Sequence, residues 1–76
     1  MDILMRYVDV YENTEDELSD LWEAEEIDVV GNNGMDVTLR AVGLIGIDWR
    51  CEVFVNGEYV GRASESEFDD FLLEVE

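Results

Sequence analysis

Asn56-Gly57 stands between two runs in which apolar and polar residues alternate, and no other feature constrains the fold as tightly. A type I′ turn needs positive φ at both central positions, and Asn-Gly supplies them with little strain. The turn predicts antiparallel pairing of Val55 with Glu58, Phe54 with Tyr59 and Val53 with Val60. The run Ile47 to Val55 then places Ile47, Trp49, Cys51, Val53 and Val55 inward, and Asp48, Arg50 and Glu52 outward. The return strand runs from Glu58 to about Ala63.

Other segments follow the same logic. Met35 to Val42 alternates with Met35, Val37, Leu39 and Ala41 on one side, and reads as a strand. Ile27 to Val30 is a short strand, joined to it by the turn Gly31-Asn32-Asn33-Gly34. Gly43-Leu44-Ile45-Gly46 turns the chain again. Ile3 to Tyr11 (ILMRYVDVY) is rich in β-formers and also reads as a strand. Thr14 and Glu17 form a capping box that opens a helix from about Glu15 to Glu25, with Leu18, Leu21 and Trp22 as its buried stripe. Ser64 and Glu67 repeat the device before a helix over Glu65 to Val75, where Phe68, Phe71, Leu72 and Val75 recur at helical spacing. The expected fold is α+β: a small antiparallel sheet of three to five strands, with two amphipathic helices packed against one face.

Composition decides between a folded and a disordered chain. Disordered acidic segments are poor in aromatic and β-branched residues, whereas this chain is 47% hydrophobic and 11% aromatic. Its 76 residues allow one core, so residues 1–76 are expected to form a single acidic domain. One cysteine, Cys51, and no His exclude an internal disulfide and a Cys/His zinc site. A reducing, cytoplasmic setting is expected, the cytoplasm of a host cell if the gene is a phage's. The N-terminal apolar run is too short for a signal-peptide core, and no stretch approaches the roughly 18 apolar residues of a membrane span.

The charge balance is extreme. Twenty-one Asp and Glu face four basic residues, all Arg (Arg6, Arg40, Arg50, Arg62), for a net charge of −17. Direct nucleic-acid binding needs cations that displace condensed counterions, so it is excluded on sign. Anionic lipid surfaces repel such a chain as well. On the first helix Asp16, Asp20 and Glu23 lie opposite the apolar stripe, and on the last helix Glu67, Asp70 and Glu74 form a comparable row. Side chains at these spacings stand about 5–6 Å apart, against one phosphate per about 3.4 Å of rise on each DNA strand. Such rows approximate a run of phosphates, and no Lys is interposed to relieve their mutual repulsion.

In size, charge and the helix rows Asp16/Asp20/Glu23 and Glu67/Asp70/Glu74, the chain resembles the small acidic inhibitors that phages and mobile elements turn on host nucleic-acid machinery: anti-CRISPR proteins, anti-restriction proteins and inhibitors of uracil-DNA glycosylase. The resemblance implies a DNA mimic without catalytic activity. Its partner would be a basic nucleic-acid-binding protein such as a CRISPR effector or a restriction enzyme. The alternative is a small halophilic structural or regulatory domain whose acids hold water and cations in a salty cytoplasm.

Other chemistry finds little support in the residues. Without His there is no Ser-His-Asp or Cys-His arrangement. Cys51 shares the inward strand face with Trp49 and Val53, which reads as a structural thiol. The acids around Gly31-Asn32-Asn33-Gly34 lack the spacing of a calcium loop. No catalytic residue, metal or cofactor is expected. Leu73 reads as an ordinary exposed leucine among the acids of the last helix. Phe54 and Tyr59 share the sheet face that carries Arg50 and Glu52, where a homodimer contact stays open.

Overall fold

Asn56 (φ 52°) and Gly57 (φ 85°) both take positive φ, and the hairpin they close lies within a four-stranded antiparallel sheet. The structure, a computed structural model, describes residues 2–75. The strands are β1 (Glu26–Val30), β2 (Asp36–Val42), β3 (Arg50–Val55) and β4 (Glu58–Ser64), in the spatial order β1-β2-β3-β4. Val55 pairs with Glu58 and Phe54 with Tyr59, as the turn demands. Val53 pairs with Gly61 rather than Val60, because a bulge inserts one extra residue into β4. The Asn56 backbone N–H donates to the Asp36 carbonyl at 2.8 Å, which ties the turn to the start of β2.

One sheet face is buried and the other open. Val37 and Leu39 of β2, Cys51 and Val53 of β3 and Ala63 of β4 point into a core completed by Leu4, Val8, Leu18, Leu21, Trp49, Phe68 and Phe71. The four α-helices of the described residues lie on that side: α1 (Ile3–Tyr7), α2 (Glu15–Ser19), α3 (Leu21–Ala24) and α4 (Glu65–Val75). The α+β architecture is therefore a two-layer one, with an antiparallel meander under a helical layer.

The N-terminal segment departs from expectation. Ile3 to Tyr11 is not a strand: Ile3–Tyr7 is helical. Asp2 caps it, accepting from the Leu4 N–H at 2.9 Å, and the Val8 N–H donates to the Leu4 carbonyl at 2.8 Å. The physical reason is burial. Leu4 and Val8 are buried and Ile3 and Tyr7 pack beside them, a spacing of four that a helix puts on one side and a strand does not. Beyond α1, Val8 bridges Gly31, and the Asp9 N–H donates to the Val30 carbonyl at 3.0 Å. A Cβ on Gly31 would stand 2.6 Å from the Met35 carbonyl oxygen and 3.1 Å from that of Tyr7, so only glycine lets the segment approach β1 this closely.

Asn13 completes the attachment. Its Nδ2 donates to the carbonyls of Asp9 (2.6 Å) and Val30 (2.9 Å), while its Oδ1 accepts from the Val30 N–H at 3.1 Å. The buried amide thus behaves as a one-residue strand partner for the end of β1, with donor and acceptor both satisfied.

The expected helix over Glu15 to Glu25 is present as two short pieces. Thr14 caps α2 by accepting from the Glu17 N–H at 3.2 Å. At Asp20 the ladder tightens: the Asp20 N–H donates to the Glu17 carbonyl, and the Glu23 N–H to the Asp20 carbonyl, both three residues back. That tighter turn brings Leu18 and Leu21, three apart, onto the same buried side. Glu25 then takes φ 69° and ends the helix. Trp22 stacks on Trp49 with ring centroids 4.4 Å apart, and Phe68 meets both rings at 5.4 and 5.2 Å. This aromatic cluster joins α3, the approach to β3 and α4.

Contrary to what the alternation predicts, Ile47 does not point inward at the start of a strand. It is 80% exposed, and β3 begins only at Arg50. Residues 44–48 close on themselves instead. The Leu44 N–H donates to Asp48 Oδ1 at 2.8 Å, and the N–H groups of Ile47 and Asp48 donate to the Leu44 carbonyl at 3.1 Å. Gly43 (φ 95°) lets the loop start, and a Cβ there would strike the Asp48 carbonyl.

Candidate partner-binding face

The acidic residues are unevenly distributed between the two layers. Residues 2–25 and 65–75, which build the helical layer, hold nine and five acids with Arg6 as their single base. Residues 26–64 hold six acids and the other three arginines. Strand alternation explains where those arginines go. With Leu39, Cys51, Val53 and Ala63 committed to the core, Arg40, Arg50, Glu52 and Arg62 must take the opposite, open face. One cross-strand row there reads Glu26, Arg40, Glu52, Arg62, alternating in sign across all four strands. Arg40 pairs with Glu26 at 3.2 Å and lies 4.9 Å over the Phe54 ring, which in turn meets Tyr59 edge-on at 5.5 Å. The open sheet face is therefore close to charge balance, and the excess of carboxylates belongs to the helical layer.

The individual site residues divide into three groups. Asp16, Asp20 and Glu23 are exposed along the outer side of α2 and α3, opposite buried Leu18 and Leu21. Asp70 and Glu74 are exposed on α4, which packs directly against α2 in the same layer. Among the described residues, none of these five takes part in an ion pair.

Glu67 does not belong with them. It is half-buried and committed to the end of its own helix, where its Oε1 accepts from the Ser64 hydroxyl at 3.3 Å and lies 3.5 Å from the Ser64 N–H. The outer stripe of α4 is instead Ser66, Asp69, Asp70, Leu73 and Glu74. Asp69 is absent from the row Glu67/Asp70/Glu74 that the sequence suggests, although the stripe Phe68, Phe71, Leu72 and Val75 places positions 66, 69, 70 and 73 opposite it. Leu73, 69% exposed, sits inside this acidic stripe.

Loop 43–48 borders the same layer. It leans on α4 through Glu65, whose Oε1 accepts from the Gly46 N–H at 2.8 Å. A groove of about 510 Å³ runs beside it, lined by Trp22, Glu23, Glu25, Ala41, Leu44 and Ile45 among others. Cys51 is buried in the core. Burial, with the adjacent Glu52 carboxylate adding to it, pushes its thiol up to about 12, so no thiolate is available near neutral pH. Among the described residues no group of three His, Cys, Asp or Glu is placed to hold a metal ion. No helix of the described residues is long and apolar enough to cross a membrane. No protein family, no curated protein and no solved structure matches the chain.

Proposed function

We propose that this protein is a nucleic-acid mimic: a non-catalytic inhibitor whose anionic helical layer occupies the basic groove of a DNA- or RNA-binding enzyme and excludes the nucleic acid. One observation carries the reading. The carboxylates of the helical layer outnumber its bases fourteen to one, while three of four arginines sit with the opposite, near-balanced sheet face. Asp16, Asp20, Glu23, Asp69, Asp70 and Glu74 form the contact, carried by α2, α3 and α4, of which α2 and α4 pack against each other. Attraction between this layer and a basic groove speeds encounter and weakens with salt. Host-defence enzymes such as CRISPR effectors and restriction enzymes present such grooves, and a phage-encoded inhibitor would meet them in the host cytoplasm.

The segregation favours this reading over halophilic adaptation. An acidic coat that serves hydration gains nothing by leaving one face balanced. The test is competition. Purified CRISPR effectors, restriction enzymes and uracil-DNA glycosylase are titrated with the protein in the presence of labelled duplex DNA, at low and at moderate salt. Displacement of the DNA from at least one enzyme, relieved as salt rises, is expected. The variant D16K/D20K/E23K is expected to keep the fold, because all three side chains are exposed, as circular dichroism would check, and to lose the competition. A triple reversal that competes as well as the parent chain would sink the proposal.

A further inference from the structure

Leu44, Ile45 and Ile47 are 64%, 58% and 80% exposed, three large aliphatic side chains within four residues. Scattered single exposures of this kind are normal, whereas a contiguous apolar group marks a contact surface. The loop that carries them is internally braced. Asp48 closes it on Leu44, Glu65 fixes Gly46 to α4, and buried Trp49 roots its far end in the cluster with Trp22 and Phe68. A braced loop displays its side chains with little ordering left to lose on contact. Carboxylates border it on both flanks. Glu23 and Glu25 share one groove with Leu44 and Ile45, and Glu65 and Asp69 share another, of about 420 Å³, with Ile47.

We propose that Leu44, Ile45 and Ile47 form the apolar anchor of a protein contact, and that the complementary surface is an apolar recess bordered by Lys or Arg side chains. The proposal rests on the reading that the carboxylate layer docks on a basic protein, and it adds the residues that supply short-range affinity to that contact. Charge complementarity selects the occupant. A second copy of this chain would bring the same carboxylate rim against itself at −17 per copy, and an anionic lipid surface is repelled by that rim. Energetic hot spots of protein contacts are apolar or aromatic anchors enclosed by a rim that excludes water, which is the arrangement here.

The experiment uses two defined probes: a synthetic amphipathic Lys/Leu peptide and an oligolysine of equal charge. Each is titrated into the isotope-labelled chain and into L44S/I47S, with backbone amide shifts as the readout. Both substituted positions are exposed, and circular dichroism with Trp fluorescence checks that the fold persists. The Lys/Leu peptide is expected to shift the amides of residues 44–48, Glu23 and Asp69, and to bind L44S/I47S about tenfold or more weakly. Oligolysine is expected to bind both forms alike, at the helical carboxylates. Equal affinity of the two forms for the Lys/Leu peptide would overturn the anchor. So would loop shifts that follow protein concentration alone, or that appear on adding phosphatidylcholine vesicles without peptide. If oligolysine leaves Asp16, Asp20 and Asp70 unmoved while the Lys/Leu peptide remains loop-dependent, the mimic reading fails and the anchor stands.

Discussion

Replacing Asn13 by Ala should remove a large share of the stability of this small domain. The side chain makes three hydrogen bonds in a site only 4% exposed: Nδ2 to the carbonyls of Asp9 and Val30, and Oδ1 from the Val30 N–H. A buried bond contributes about 0.5–1.5 kcal/mol net, and a stranded buried partner costs about 1–3 kcal/mol. The Val30 carbonyl keeps its bond from the Asp9 N–H, so its loss is softened. The Val30 N–H and the Asp9 carbonyl lose this partner, which sets the total near 3 kcal/mol by these magnitudes. For a domain of this length each kcal/mol moves the melting temperature by about 4–8 °C, so a fall of roughly 12–24 °C is expected. Trp22 and Trp49 report unfolding in urea, since their stacking depends on the packed core. Asn13→Asp serves as the control for size. It keeps an acceptor for Val30 but sets a carboxylate against two carbonyls, and should cost at least as much as Ala. A loss below about 1 kcal/mol for Asn13→Ala would refute the reasoning, because it would mean that this amide does not hold the N-terminal segment to β1.

Two further predictions concern charge and pH. Melting temperature should rise between 0.15 M and 1 M KCl as the screening length falls from about 8 to about 3 Å, and the protein should already be folded at the lower concentration; a chain that folds only in molar salt would restore the halophilic alternative. Cys51 should weaken the fold in alkali. Its folded thiol titrates near 12 against an ordinary value of 9.0, so the neutral form is favoured in the core and its stabilisation is complete below pH 9 and lost as pH climbs from 9 toward 12. Urea melts of the parent and Cys51→Ala across that range should converge; parallel curves would show that the thiol does not titrate with unfolding.

The parts of the fold that could be read from the sequence were those decided by neighbours along the chain. Asn56-Gly57, the Thr14 cap, the Ser64/Glu67 capping box and the Phe68/Phe71/Leu72/Val75 stripe each act within a few residues and appear where expected, although the Glu17 half of the first box does not. α1 was misread because β-branched and aromatic residues outweighed a weaker sign, the Ile3/Leu4/Tyr7/Val8 spacing, and burial against α4 and β4 decided the outcome. Ile47 was misread because alternation continued by coincidence into a loop that Asp48 closes with its side chain. Asn13 gave no signal at all, since its partner Val30 lies 17 residues away. For the site, the amount of charge was plain from composition. Its placement was not, because the balanced row Glu26/Arg40/Glu52/Arg62 exists only once three strand pairings are set in register. Glu67 illustrates the same limit: one carboxylate cannot both cap Ser64 and stand in an outward row.

Gathering the arginines on the sheet while the helices carry the acids gives the molecule a strong electric dipole in addition to its net charge. Near a cationic surface the net charge sets the pull and the dipole sets a torque, so the molecule turns its helices forward before any side chain touches. Encounters that begin badly aligned are corrected in flight. Moving even one arginine from the sheet to α2 would leave the total charge at −17 and still loosen that alignment.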